Sequence, residues 1–178
     1  MTAKPPLERI QGNEKLLERL MLVIPGFRGY KLKEQRREAD RIVRNYAYQA
    51  LEHSRDDLMT CLQSLSDAKA SELMEPENRL IAKLDRVAEK INRASYGYSG
   101  FFDAVKVEEV ELDNMLAYDT QLMDAVRKIG DATVSFKADL TAGKLENART
   151  TQQVLDTAIG NLELAFDQRK AVIEGVKV

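Results

Sequence analysis

The stretch between Pro25 and Pro76 constrains the fold most strongly. After Gly26 and Gly29 it contains neither proline nor glycine until Pro76 is reached. Its apolar residues recur at alternating steps of three and four, which is the pattern of one face of a helix. We therefore predict a single helix from Tyr30 to Leu73, about 65 Å long at a rise of about 1.5 Å per residue. The rest of the chain is expected to pack against this helix.

Three later segments show the same helical periodicity. Pro76 is expected in the first turn of a helix that ends before the Tyr96–Phe102 segment, because a proline loses no hydrogen bond there. Another helix is predicted to begin near Glu108 and to stop at Gly143, and the last to begin near Leu145. No segment shows the alternation that is typical of a strand.

These segments predict an all-α fold. Short connections at Glu75–Pro76 and Gly143 favour antiparallel neighbours, so we expect an elongated antiparallel four-helix bundle of up-down-up-down order with one very long helix. A short extra N-terminal helix, capped by Asn13 and ending near Ile24, is predicted before it. Residues 1–12 are expected to be a flexible tail, and residues 13–178 a single helical-bundle domain.

Composition limits the classes of function. The formal net charge is −2, so no general attraction to nucleic acid is expected. Cys61 is the only cysteine, which excludes an internal disulfide and fits a reducing compartment. The longest apolar run, Leu20 to Pro25, is far shorter than the roughly 20 residues that span a bilayer. We expect a cytoplasmic protein and leave open a peripheral contact with a membrane.

A stripe of basic residues begins just before the long helix. Positive charge near a helix start opposes the helix macrodipole, so local stability does not explain the stripe. One interpretation is a contact for an anionic membrane, a nucleic acid backbone or an acidic partner. The other interpretation is a solvent-exposed helix face on which intrahelical ion pairs such as Asp40–Arg44 compensate the charge. The candidate anion or partner contacts are Arg28, Lys33, Arg37, Arg41 and Arg44.

An apolar helix turn directly precedes the basic stripe. It is apolar on every side, whereas a single groove covers only one face of a helix. Apolar insertion beside cationic residues is the combination that peripheral membrane attachment uses. Alternatively, the turn belongs to a capping helix that folds onto the end of the bundle. The candidate apolar contacts are Leu20, Leu22, Val23, Ile24 and Phe27.

An aromatic bend is predicted between the second and third long helices. Its aromatic residues are Tyr96, Tyr98, Phe101 and Phe102, interspersed with glycines. If the segment is exposed, it can stack on a base or accept a partner, or it can line a pocket together with Tyr46 and Tyr48. Alternatively, its glycines turn the chain and its aromatics fill a widened core.

No constellation for catalysis, cofactor binding or metal binding is found in the sequence. A di-metal site in a bundle core needs Glu-x-x-His units, but Ala50 occupies the glutamate position before His53, the only histidine. Cys61 falls on the apolar seam and is expected to be buried and unreactive. We therefore expect no cofactor, and enzymatic activity stays open but is disfavoured.

The favoured function is a non-catalytic helical scaffold or interaction protein. It would self-associate, or bind a partner or an anionic membrane surface, through the apolar turn and the basic stripe. The alternative is a ligand-binding or enzymatic bundle with a pocket near the Tyr96–Phe102 bend. A protein partner or a homo-oligomer is expected, and nucleic acid is disfavoured. In architecture alone, the chain resembles coiled-coil membrane-stress and scaffold proteins of the phage-shock type.

Overall fold

A computed structural model of the chain describes residues 6–30, 33–94 and 109–175. Within these ranges the chain forms five α-helices and no strand, which confirms the all-helical class. The helices are α1 (Pro6–Val23), α2 (Lys33–Asp67), α3 (Ser71–Asn92), α4 (Glu109–Thr141) and α5 (Leu145–Gly175).

The long helix ends earlier than the sequence predicts. The predicted helix runs from Tyr30 to Leu73, but α2 ends at Asp67 and α3 begins at Ser71. Pro76 therefore lies inside α3, beyond the first turn where it was expected. The absence of proline and glycine favours a continuous helix, but it does not exclude a stop at another residue that adopts the left-handed conformation.

That stop is a C-terminal turn built on Lys69. The φ angle of Lys69 is 55°, which is left-handed. Its N–H donates to the carbonyl of Ser66, and the N–H of Ala70 donates to the carbonyl of Leu65, both at 3.0 Å. These two bonds satisfy carbonyls that the end of a helix otherwise leaves without partners. Gly143 takes the same position after α4, where the sequence predicts a stop.

The N-terminal helix begins earlier than predicted. It starts at Pro6 rather than after Asn13, and it includes part of the stretch that was expected to be a flexible tail. Proline is well suited to the first helical position, where its missing N–H breaks no hydrogen bond. Gly12 lies within the helix and costs about 1 kcal/mol relative to alanine, which is not enough to end it. The local cap signal at Asn13 therefore does not set the boundary.

The apolar seams predicted from the sequence form the core. Each long helix turns its three-and-four pattern inward, which leaves most of its charged residues on the outside. The buried seam residues include Val43, Ala47, Leu51, Leu58, Cys61 and Leu65 of α2, Leu80, Leu84, Val87 and Ile91 of α3, Met115, Leu122, Ile129 and Phe136 of α4, and Ala148, Leu155, Ile159, Leu162 and Phe166 of α5.

Cross-helix contacts define how the helices lie beside one another. Helix α2 packs against α3 and α4, α5 packs against the same two helices, and α1 lies on α4. An ion pair joins Lys137 of α4 to Asp57 of α2 at 2.7 Å. On the other side of α2, Arg55 pairs with Asp85 of α3 at 3.1 Å.

Helices α3 and α5 run side by side in the same direction. Residues early in both helices are joined by Arg149 and Glu72 at 2.5 Å, and residues late in both are joined by Lys90 and Asp167 at 2.7 Å. Between them, Lys83 pairs with Asp156 at 2.6 Å. Each of these exposed pairs contributes at most about 1 kcal/mol, but together they favour a single register of the two helices.

Lys69→Gly is expected to raise the free energy of unfolding by about 0.5–1 kcal/mol, because glycine adopts a left-handed φ without steric cost. Gly143→Ala should lower it by about 1 kcal/mol for the same reason. Urea denaturation followed by circular dichroism measures both changes. Ala68→Gly is the matched control, and it should destabilise because no left-handed residue is relieved there. A Lys69→Gly protein no more stable than wild type would contradict this explanation of the stop.

Candidate functional site

The apolar turn has an inward half and an outward half. Leu20, Ile24 and Phe27 are 1%, 1% and 2% exposed and belong to the core. Leu22 and Val23, by contrast, are 88% and 43% exposed. The inward half therefore docks on the helices, and the outward half faces solvent.

The loop after α1 holds this turn in place. The N–H of Phe27 donates to the carbonyl of Ile24 at 3.2 Å, and the rings of Phe27 and Tyr30 meet edge to face at 5.6 Å. Gly29 has a φ of 82°, and a Cβ added there would lie 3.1 Å from a methyl group of Leu17. The loop therefore packs tightly beneath α1, which holds the backbone of this turn in place.

The outward half continues into a groove. Met21 is 50% exposed, so Met21–Val23 forms a run of three exposed apolar residues, which we call the apolar patch. Val23 also lines a groove of about 300 Å³ between α1, α2 and α4. Apolar atoms of Ala50, Met123 and Val126 lie in its wall. Val23 therefore connects the patch to the groove, whose wall also contains the charged side chains of Arg19 and Asp124.

Most of the described basic residues near this surface point outward. Arg28, Arg37 and Arg41 are exposed. Arg41 donates two hydrogen bonds to Glu38, at 2.9 and 2.7 Å, and this bonding lowers the pKa of the Glu38 carboxyl. The side chain of Lys33 lies outside the described residues. Part of the charge of the basic stripe is therefore compensated by its own helix.

Arg44 points into the protein instead. Its Nε donates to Oδ2 of Asp40 at 2.8 Å, and its Nη1 donates to the carbonyl of Asn92 at 3.0 Å. The Asp40–Arg44 pair is the intrahelical pair that the sequence offered as an alternative to an anion contact. Because Arg44 is only 6% exposed, it adds little to the positive surface.

A buried ion cluster lies next to Arg44 and joins four parts of the chain. Nε of Arg169 donates to Oδ1 of Asp119 at 2.5 Å, and Nη2 of Arg169 lies 2.8 Å from Oδ1 of Asp40. The hydroxyl of Tyr30 donates to Oδ2 of Asp119 at 2.6 Å. We call Tyr30, Asp40, Arg44, Asp119 and Arg169 the Arg169 cluster. It links α2, α4 and α5 to the loop that follows α1.

The protonation states of the cluster follow from burial and charge. Burial lowers the pKa of Arg169, but Asp119, Tyr30 and Asp40 raise it more, so the net pKa lies well above its ordinary value. Burial and the neighbouring Asp119 raise the pKa of Tyr30, so its hydroxyl stays a donor. Burial also raises the pKa of Asp119, against the opposing effects of Arg169 and Tyr30. Such an enclosed arrangement supports structure rather than chemistry on a substrate.

This cluster was not predicted from the sequence, although the sequence contains a signal for it. Asp119 falls within the α4 seam, between Met115 and Leu122, and Arg169 extends the α5 seam after Phe166. A charged residue at a seam position is expensive to bury without a partner, so it indicates a partner elsewhere in the core. The helical spacing shows that Asp119 and Arg169 lie at buried positions, but it does not show that they pair with each other.

Another buried carboxyl, that of Glu77, lies at the other end of the helices. Glu77 is fully buried, and the amide of Gln152 donates to its Oε2 at 2.8 Å. Within the described residues, its Oε1 has no hydrogen-bond partner. Burial raises the pKa of Glu77 to about 7. Burial also raises the pKa of the Cys61 thiol to about 11, so that buried cysteine is protonated at neutral pH.

The other predicted site residues are dispersed or lie outside the described ranges. His53 is exposed and lies 3.7 Å from Asp57. Tyr46 and Tyr48 are half-buried against the core. The bend residues Tyr96, Tyr98, Phe101 and Phe102 are not among the described residues, so the pocket predicted near them stays a prediction.

Over the described ranges, no three His, Cys, Asp or Glu side chains are grouped so that they could hold a metal ion. Nor does any helix in those ranges have the length and apolar character needed to cross a membrane.

Comparison with protein-family models, with curated proteins and with solved structures gives no match. The resemblance in architecture to phage-shock-type proteins is therefore not supported by any match. Function has to be inferred from the chain's own surfaces.

Glu77→Gln is expected to change how stability depends on pH. The folded-state pKa of about 7 lies above the ordinary 4.5, so the folded protein binds this proton more tightly. The stability that Glu77 contributes is therefore present below pH 4.5 and falls as the pH rises to about 7. The loss amounts to about 3 kcal/mol, and the neutral amide avoids it.

Urea denaturation of wild type and Glu77→Gln at a series of pH values measures this difference. The variant should match wild type in acid and exceed its free energy of unfolding above neutrality. Glu75→Gln, which changes an exposed carboxyl in the same helix, is the control and should follow wild type throughout. Parallel curves for wild type and Glu77→Gln would show that Glu77 does not carry this pH dependence.

Proposed function

We propose that this chain is a non-catalytic interaction protein whose apolar patch, Met21–Val23, binds an apolar segment of a partner protein. The observation that carries the proposal is the 88% exposure of Leu22 on a turn whose opposite side is fixed in the core. An exposed apolar side chain is ordinary when it is isolated, but a contiguous patch is typical of interaction sites.

The immobilised turn supports this proposal energetically. Binding costs less free energy when the contacting side chains are already ordered. Leu20 and Ile24 hold the inward side of the turn, so a partner need not order it. The groove beside Val23 extends the apolar contact, and the ion pair between Arg19 and Asp124 lies at its edge. An apolar centre with a polar rim is the usual anatomy of a protein interface.

The charge distribution favours a protein over an anionic membrane as the partner. Membrane attachment of this type relies on several accessible cations beside the apolar insertion. Arg44 is buried with Asp40, and Arg41 is bonded to Glu38, so the stripe offers less positive charge than the sequence predicts. Arg28 and Arg37 are both exposed, and an exposed arginine suits the rim of a protein contact.

We also infer that the four long helices form the scaffold that carries this surface. The packing of α2 with α3 and α4, and of α5 with α3 and α4, supports an elongated four-helix bundle of up-down-up-down order. The position of the chain in the cytoplasm stays an expectation from its composition.

A photo-crosslinking amino acid placed at Met21 is expected to trap one protein of discrete mass in the native cells. The same group at Met59 of α2 is the control, because that side chain is 55% exposed but lies away from the patch. Val23→Lys in the Met21 crosslinker chain should lower the yield about tenfold, because a charge is driven into an apolar contact. Mass spectrometry identifies the adduct.

Each outcome of this experiment decides the proposal. A protein adduct that Val23→Lys removes supports it, and an adduct of two copies of the chain shows that the partner is the protein itself. Adducts with lipid alone would assign the patch to a membrane and contradict the proposal. Equal adducts at Met21 and Met59, or none at either position, would also contradict it.

A further inference from the structure

We propose that two copies of the chain form a symmetric dimer through the face shared by α4 and α5. This inference rests on the proposed role as an interaction protein and assigns self-association to a surface other than the apolar patch. The face is an open groove of about 820 Å³ between the two helices. It extends from Gln121 to Ser135 along α4 and from Thr150 to Ala165 along α5.

The groove has a floor of small side chains. Ala125 and Ala132 of α4 and Ala158 of α5 lie along it, so an opposing helix can approach closely. Val154 beside them is 53% exposed, and Leu164 farther along α5 is 61% exposed. A shallow groove that is lined with apolar side chains is a suitable packing surface for a second helix.

The α5 side of this face is depleted in charge. From Thr150 to Ala165 the only charged residues are Asp156 and Glu163, in a chain that is 31% charged, and Glu163 pairs with Arg86 of α3 at 3.0 Å. Asp156 forms an ion pair with Lys83 of α3 at 2.6 Å, so its charge is compensated by the neighbouring helix. Depletion of charged residues is typical of the centre of a protein interface and is unusual for a solvated helix face.

The groove supplies part of the area that a stable dimer needs. Two adjacent helices, each about 10 Å in diameter, present a face about 20 Å wide. The groove runs from Gln121 to Ser135 and from Thr150 to Ala165, which corresponds to about 23 Å of helix. The grooved face is thus roughly 450 Å², about half of the roughly 800 Å² that each partner contributes to a standard interface, and both helices extend beyond it in both directions.

The charges on α4 favour a second copy as the occupant. Lys128 has no ion-pair partner among the described residues, and Asp131, one turn further on, has only a distant contact with Arg127 at 3.8 Å. In a two-fold dimer with antiparallel α4 helices, Lys128 of each copy can face Asp131 of the other. The two-fold axis repeats this contact, so the pair of Lys128 and Asp131 occurs twice in the interface. Such repetition is what a self-complementary two-fold interface requires.

Light scattering of the purified full chain over a range of concentrations is the first test. The expected result is a mass of about twice 20.1 kDa that Val154→Lys shifts toward the monomer. In Val154→Lys the dissociation constant of the dimer should rise about tenfold or more, because the substitution places a charge in the apolar centre of the interface. Met59→Lys is the matched control, since Met59 is 55% exposed against 53% for Val154, and it should leave the dimer unchanged.

A charge exchange tests the geometry of the dimer. Lys128→Asp places four like charges across the interface and should weaken the dimer, whereas the double variant Lys128→Asp with Asp131→Lys should restore it. Failure of the double variant to recover the dimer would overturn the antiparallel pairing.

A wild-type chain that stays monomeric at every concentration would overturn the dimer, as would a dimer broken by Leu22→Lys but not by Val154→Lys. A monomeric chain leaves the proposed function untouched, because a partner can still be trapped at Met21. A dimer broken by Leu22→Lys would instead support the proposed function, with a second copy as the partner.

Discussion

The interaction on which the rest of the structure depends is the pairing of Arg169 with Asp119 inside the protein. Both side chains are fully buried, and neither could be accommodated without the other. Removing one member of such a pair leaves an uncompensated buried charge, which costs about 3–5 kcal/mol. The pair therefore favours one arrangement of α4 and α5, and Asp40 extends that constraint to α2.

The same cluster connects the core to the proposed contact surface. Tyr30 binds Asp119 with its hydroxyl, and its ring packs on Phe27, which lies beneath the end of α1. The last turn of α1 is thereby held against the helices while Leu22 stays in solvent. A turn that is already fixed lowers the entropy cost of binding. The buried charges therefore help the exposed patch to bind, because they hold the turn that carries it.

Local patterns predicted the helices and their seams, because apolar periodicity is a property of neighbouring residues. The end of α2 near Lys69 was not predictable from that pattern. It depends on a lysine with a left-handed φ, and no proline or glycine at that position marks it in the sequence. The Arg169 cluster joins residues far apart in the sequence, so spacing marks Asp119 as unusual without identifying its partner. From the sequence, Arg44 likewise looked like a surface cation, but its burial and its contact with Asn92 show that it turns inward.

Hydrogen exchange of the Arg169→Lys variant measures whether the Arg169 cluster holds the end of α1, because lysine keeps the charge but loses the two-pronged guanidinium that reaches Asp119 and Asp40 together. Arg86→Lys, which alters an exposed ion pair between α3 and α5, is the control. The amides of Ile24 and Phe27 are expected to exchange about tenfold faster in Arg169→Lys, beyond any change in the other helices. Equal acceleration along the whole chain, or none in this loop, would contradict this role of the Arg169 cluster.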